Sequence, residues 1–258
     1  MPASAANSGA KRVAFVTGAS YGIGAATALA LARDGFDVAV SATRVENLAD
    51  TMTKLKAARA RASAVALDLR SQASIEQAMG TVVGGLGRID VLVNNAGAML
   101  SKPALEVTNA EWDLVMSTNV TGTFFMSQQM GRHLIGSSRP GCIISITSTH
   151  GVVGTAARST YGVSKAAIIH MSRMLAIEWA EHGIRVNTIA PGRLNTPSPL
   201  RAASAADPKY VQAKLDRIPL HRFCTAEEVA AAVSYLASPQ AEYITGHTLM
   251  LDGGLTAY

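Results

Sequence analysis

Seven short runs of apolar, largely β-branched residues recur along the chain, each separated from the next by a longer segment. The runs are Arg12–Val16, Asp37–Ser41, Ala62–Leu67, Ile89–Val93, Cys142–Thr147, Arg185–Ile189 and Thr248–Leu251. Runs this continuously apolar suit strands buried on both faces. Their regular alternation with segments of helical period predicts an α/β fold, a parallel sheet covered by helices on both faces. Three helices carry start signals of the capping-box form: Thr108-x-x-Glu111, Thr225-x-x-Glu228 and, more weakly, Ser74-x-x-Gln77. No Pro/Ser-rich linker divides the chain and no repeat is present. Residues 11–258 therefore read as one domain behind a flexible tail over residues 1–10. One stretch breaks the rhythm. Asn195–Leu220 holds Pro197, Pro199, Pro208 and Pro219, and a loop of that length in a compact domain is expected to cover a substrate site.

Composition narrows the function classes. Hydrophobic residues make up 48% and charged residues 16%, enough apolar material for a core and no sign of disorder. The formal charge of +5 is spread over scattered Lys and Arg, so a mildly basic surface is the reading and a nucleic-acid partner is not expected. The uncharged stretch Val13–Ala32 is rich in Gly, Ala and Thr rather than Leu, which argues against a membrane span. Two cysteines, Cys142 and Cys224, form no metal-like spacing and no disulfide framework. Cys142 reads as a small core residue. No metal is expected, and a cytoplasmic location is.

The first strand runs into Thr17-Gly18-Ala19-Ser20-Tyr21-Gly22-Ile23-Gly24 and then a helix. Gly18 permits a tight turn, Gly22 lets backbone approach a pyrophosphate, and Gly24 lets helix and strand pack closely. The free N–H groups of the helix N-terminus suit an anion. In the first strand–turn–helix unit this points to a nucleotide. The spacing is G-x-x-x-G-x-G, and with Asn94-Asn95-Ala96-Gly97 after the fourth strand it resembles the short-chain dehydrogenase/reductase family, particularly its 3-oxoacyl-(acyl-carrier-protein) reductase-like branch. The resemblance extends over nearly the whole chain, to Leu251-Asp252-Gly253-Gly254. It implies a Rossmann-type, doubly wound, seven-stranded sheet and an oxidoreductase working on C=O or CH–OH groups with a nicotinamide dinucleotide. On that basis the cofactor contacts fall to Gly18, Ser20, Tyr21, Gly22, Ile23 and Gly24. Asp68 and Leu69 would meet the adenine, and Asn95, Ala96 and Gly97 the adenine-ribose side. Pro191, Gly192 and Thr196 would meet the nicotinamide.

The second strand ends Ser41-Ala42-Thr43-Arg44, with Ala42 near where NAD enzymes place an acid for the ribose hydroxyls. Arg44 suits a 2′-phosphate, although it also reads as a solvated residue before a helix. NADP(H) is the preferred cofactor on this reading and NAD(H) the alternative. Relatives that use NADP often carry a basic residue where Tyr21 stands, a departure here.

Tyr161 and Lys165 stand four apart on a segment of helical period, so their side chains share a face. A phenol is a poor acid–base group near neutrality, but an ammonium beside it favours the phenolate. Ser148, thirteen residues upstream at a strand end, can donate to a substrate oxygen; Ser145, Thr147 and Thr149 are alternatives. By resemblance Ser148, Tyr161 and Lys165 are catalytic, Asn119 is the fourth member, acting on the lysine through a water, and Tyr161 and Lys165 also touch the cofactor. His150 reads equally as a cleft residue or a loop residue. Cys224 and Ala226 replace the Gly and Pro common in relatives, which predicts altered turn geometry there.

Several functions fit. The leading one is an NADP(H)-dependent reductase of a small-molecule carbonyl, with a 3-oxoacyl thioester as one candidate. Basic residues for an acyl carrier protein are only partly present, at Arg132 and Arg139, with Ile177 in another such position. An NAD(H)-dependent sugar or polyol dehydrogenase is the alternative, and a non-catalytic dinucleotide sensor is a third. The resemblance also implies a homo-oligomer, a tetramer, paired through helices near Glu111–Leu134 and Thr160–Glu181. The apolar positions Leu114, Val115, Phe124, Met126, Met171, Met174 and Leu175 serve that reading or an ordinary core.

Overall fold

Every predicted apolar run is a strand in the computed structural model, which describes residues 11–194 and 208–257. The strands are β1 (Val13–Val16), β2 (Asp37–Ala42), β3 (Ala62–Ala66), β4 (Val91–Asn94), β5 (Gly141–Ile146), β6 (Ile184–Pro191) and β7 (Thr248–Leu251). They form one sheet in the order β3-β2-β1-β4-β5-β6-β7, and every neighbouring pair is parallel. The intervening helices are α1 (Gly22–Arg33), α2 (Ala49–Ala57), α3 (Gln72–Leu86), α4 (Asn109–Met116), α5 (Gly122–Gly136), α6 (Ser159–Trp179), α7 (Pro208–Leu215) and α8 (Ala226–Ala237).

Alternation along the strands divides the core in two. Ala14, Val16, Val38 and Val40 pack with α1, α2 and α8 through Leu31, Leu55 and Val233. Val13, Phe15, Leu92 and Ile143 pack on the other face with α3, α5 and α6 through Val82, Met130 and Leu175. All four residues of β1 and all six of β2 are buried, which is why these runs carry almost no polar face.

Boundaries moved where a specific bond ends the ladder. The fourth strand starts at Val91, not Ile89, because the Ile89 N–H donates to His133 Nε2 at 3.1 Å instead of joining a neighbouring strand. β6 runs on to Pro191 because it keeps pairing with β7 as far as Leu251. Both strong capping boxes form, Thr108 with Glu111 and Thr225 with Glu228. The third signal is corrected: α3 starts earlier, Ser71 caps it by accepting from the Ser74 N–H, and the Ser74 hydroxyl accepts from the Asp68 N–H. Among the described residues no helix is long and apolar enough to cross a membrane.

The chain builds outward from β1 to β3, then returns to place β4 beside β1. The loops at the C-terminal ends of β1 and β4 diverge there, and a ligand crevice opens at such a switch point.

Candidate active site

The crevice is a cleft of about 670 Å³ that runs from the α1 turn past the ends of β2 and β3 to the ends of β4, β5 and β6. Thr17 ties its two halves together. Its hydroxyl donates to Val93 O (3.3 Å) and accepts from the N–H groups of Asn95 (3.0 Å) and Ala96 (3.1 Å). Asn95 answers with its side-chain amide, which donates to the carbonyls of Thr17 and Gly18 at 3.0 and 2.8 Å. The turn therefore needs glycine. Gly18 has φ +64°, and a Cβ there would lie 2.7 Å from Ala96 Cα; a Cβ on Gly24 would strike the Gly18 carbonyl. Tyr21 at the N-cap of α1 makes no side-chain cap bond, so the first amides of that helix are left to another acceptor. Ser20, Tyr21, Gly22 and Ile23 line the cleft beside them. Space, glycine cradle and open helix amides fit a dinucleotide diphosphate.

At the far end the cleft is lined by Ser41, Ala42, Thr43, Asn47, Leu67, Asp68, Leu69 and Arg70. Ser41 Oγ is buried without a hydrogen-bond partner. Arg44 is exposed, stands at the start of the short helical turn Val45–Leu48 and lies outside this lining. Asp68 is paired with Arg70, whose fork holds the carboxyl below the usual carboxylate range.

At the other end stand Ser148, Tyr161 and Lys165, with Gly97, Pro191, Gly192 and Leu194 around them. Lys165 is buried in α6, and its Nζ donates to Ile146 O at 2.9 Å and lies 5.6 Å from the centre of the Tyr161 ring. Burial lowers its pKa to about 8. Ser148 caps the turn Thr149–Gly151, its hydroxyl accepting from the His150 N–H at 3.2 Å. That turn sits hard against α6: a Cβ on Gly151 would meet Lys165 C at 2.8 Å, and one on Gly162 would meet His150 O at 2.8 Å. These contacts hold the turn after Ser148 against α6, and Ser148 and Tyr161 line the same cleft. His150 itself stands edge-on to the Tyr161 ring, 6.1 Å between centres, with Nδ1 3.2 Å from the Thr155 hydroxyl.

Asn119 is wholly buried in a wide π-turn, Ser117–Thr121, between α4 and α5. Its Oδ1 accepts from the Ala98 N–H (2.7 Å), and its Nδ2 donates to Ala98 O (2.9 Å) and Ser164 Oγ (2.9 Å). The Ser164 hydroxyl donates to Tyr161 O at 2.7 Å. Asn119 thus reaches α6 through Ser164 and holds the segment after β4. A Cβ on Gly97 would sit 3.0 Å from Asn119 Oδ1 and 3.7 Å from Lys165 Nζ, so glycine there keeps the space before the lysine open.

The match to known proteins is consistent along the chain. The family described as enoyl-(acyl carrier protein) reductase matches residues 18–256. The chain belongs to the short-chain dehydrogenase/reductase family. It is 35% identical to 3beta-hydroxysteroid dehydrogenase 1 of Eggerthella lenta, over 96% of this chain and 94% of that one. It is 35% identical to 3-oxoacyl-(acyl-carrier-protein) reductase FabG of Thermotoga maritima, over 95% and 97%. A solved structure from Agrobacterium tumefaciens, assigned as a 2-deoxy-D-gluconate 3-dehydrogenase and holding NADP, superposes with a TM-score of 0.88 at 33% identity, over 96% and 98%. This short-chain dehydrogenase/reductase is accordingly an oxidoreductase of alcohol and ketone groups, in a family that uses NAD(P).

Thr196 and the segment after it to residue 207 lie outside the described residues, as does the tail over residues 1–10. Sequence reasoning missed Thr43, Asn47, Arg70, Met99, Leu114, Thr118 and Leu194 in the cleft lining. Arg70 had a signal, an opposite charge two residues from Asp68; the rest are set by packing and have none. The backbone of Cys224 pairs in parallel with that of Leu194, and its thiol is pushed up to about 11, chiefly by burial.

Proposed function

We propose that this short-chain dehydrogenase/reductase moves hydride between NADP(H) and a carbonyl or secondary alcohol, using Asn119, Ser148, Tyr161 and Lys165. The observation that carries this reading is the buried Lys165 ammonium beside the Tyr161 ring, in one cleft with Ser148. The dinucleotide, when bound, supplies or accepts the hydride. In reduction the Tyr161 hydroxyl gives its proton to the alkoxide oxygen as that charge develops, and in oxidation the phenolate takes it back. Lys165 favours the phenolate by its charge. Ser148 donates a hydrogen bond to the same substrate oxygen. Asn119 holds the loop after β4 and, through Ser164, the first turn of α6. Gly18, Ser20, Tyr21, Gly22, Ile23 and Gly24 cradle the diphosphate, Asp68 and Leu69 meet the adenine, and Asn95, Ala96 and Gly97 line the adenine-ribose side. Pro191, Gly192 and Thr196 border the nicotinamide.

The preference for NADP(H) is supported by the absence of a carboxylate from the cleft lining at the end of β2, by Arg44 after it, and by the neighbour that holds NADP. The two relatives and the solved structure named above bear a hydroxysteroid, a 3-oxoacyl group and a sugar acid in their names, and the substrates to try are accordingly neutral ketones, 3-oxoacyl thioesters and sugars. We take residues 11–258 as one catalytic unit in the cytoplasm, with residues 195–220 over the substrate. We further read the protein as a homo-oligomer. Phe124, Met174 and Ile177 are exposed on α5 and α6, where an apolar hollow of about 680 Å³ opens.

The test is oxidation of NADPH and of NADH by the purified protein against acetoacetyl thioester, diketones, sugars and polyols. Turnover preferring NADPH supports the reading. Dinucleotide binding without turnover on any of them favours the non-catalytic sensor.

A further inference from the structure

We infer that Arg70 is a positioning residue for the adenine, holding the Asp68 carboxylate so that the cleft tells an amino group from a carbonyl oxygen at the purine 6-position. The inference rests on the dinucleotide reading above. Arg70 follows Asp68 by two residues, just beyond β3, and both residues line the cleft with Ser41, Thr43 and Leu67.

Three donors from this one residue reach the carboxylate. The Arg70 N–H and Nε reach Oδ1 at 3.0 and 3.1 Å, and Nη2 reaches Oδ2 at 2.9 Å. Among the described residues Arg70 supplies the one side chain that donates to Asp68. The Asp68 backbone is fixed as well: its N–H donates to Ser74 Oγ at 3.0 Å, its carbonyl accepts from the Ser71 N–H at 3.1 Å, and Leu67 N–H donates to Ala42 O at 2.9 Å. The peptide group is thus held by α3 and β2, and only the carboxylate torsion is left to settle. Arg70 settles it with a planar fork that a lysine lacks.

An ionised carboxylate has about four lone-pair directions. Three are taken, which leaves capacity for one further donor. The pairing also keeps the group ionised and acceptor-only well below neutrality. A purine amino group satisfies the remaining direction, whereas a purine 6-carbonyl sets two acceptors against each other, the kind of mismatch that discriminates strongly. Released from Arg70, the carboxylate, with a side chain 36% exposed, can turn into water and lose its aim.

The experiment measures dissociation constants for NADPH and for its hypoxanthine analogue, in which a carbonyl replaces the adenine amino group, and for the same pair without the 2′-phosphate. Proteins are wild type, Arg70→Ala, Arg70→Lys, Asp68→Asn and the double variant. Wild type should prefer the adenine form by about tenfold or more. Arg70→Ala should lose most of that ratio while its affinity for the hypoxanthine form changes little, and Arg70→Lys should keep part of it. The double variant should discriminate no worse than Asp68→Asn alone, since both act on one contact. Equal weakening of both forms by Arg70→Ala, an unchanged ratio, or no wild-type preference overturns the inference. A wild-type protein that binds none of the four dinucleotides overturns the underlying reading instead, so the two failures are separable.

Discussion

Lys165 on α6 donates from its buried ammonium to the main-chain carbonyl of Ile146, the last residue of β5, at 2.9 Å. One bond thus joins the helix that carries Tyr161 to the strand that leads into Ser148. Burial takes this lysine from its ordinary 10.5 down to about 8. The unfolded chain keeps that proton up to about 10.5, so between pH 8 and 10.5 the unfolded state binds more protons than the folded one. Stability from this group therefore rises with pH across that window, and below it the buried charge opposes folding by roughly 3 kcal/mol. Urea melts of wild type and Lys165→Met should show the difference moving in favour of wild type from pH 8 to 10.5. A difference that stays flat would mean the ammonium is not buried.

Gly18 and Gly84 make a contrasting pair. Alanine at Gly18 combines φ +64° with a Cβ 2.7 Å from a backbone atom. Gly18→Ala should lose about 1–3 kcal/mol and most dinucleotide binding. Gly84 lies exposed within α3 with nothing within 4 Å of a Cβ. Gly84→Ala should gain up to about 1 kcal/mol and leave binding unchanged. Thermal melts and cofactor titration check both.

Arg44 is exposed after β2, outside the cleft lining, and is proposed to meet a phosphate on the ribose. Arg44→Ala should weaken NADPH by about tenfold or more and NADH hardly at all. Equal losses in parallel titrations would remove the argument for NADP.

The elements predicted from sequence were those that depend on burial or on local bonds. The seven strands were legible because both faces are buried, and the two capping boxes because their bonds are local. Ser74-x-x-Gln77 misled because Ser71, three residues earlier, is also a serine, and which one caps depends on Asp68 in the adjoining loop. The Tyr161, Lys165, Ser148 and glycine-turn positions were legible because their spacing is fixed by one helix and two strand ends. Asn119 came from the family resemblance, because its π-turn and its link through Ser164 join segments 45 residues apart, which no local pattern contains. The pairing of Arg70 with Asp68 was within reach of sequence, yet its place in the cleft depends on the packing of β3 against β2.

The exposed Phe124, Met174 and Ile177 form the face proposed to pair subunits. Met174→Glu would bury a charge in such an interface, so it should lower the sedimentation coefficient toward that of a monomer. An unchanged coefficient would move the interface elsewhere.

The most direct test of the account is Tyr161→Phe, which removes one hydroxyl and keeps the ring. Turnover of the best carbonyl substrate should fall about a thousandfold, within the usual share of general acid–base catalysis, while NADPH affinity stays within about twofold of wild type. Turnover retained at near wild-type level, with cofactor still bound, would contradict the assignment of Tyr161 as the proton donor and with it the proposed chemistry of the cleft.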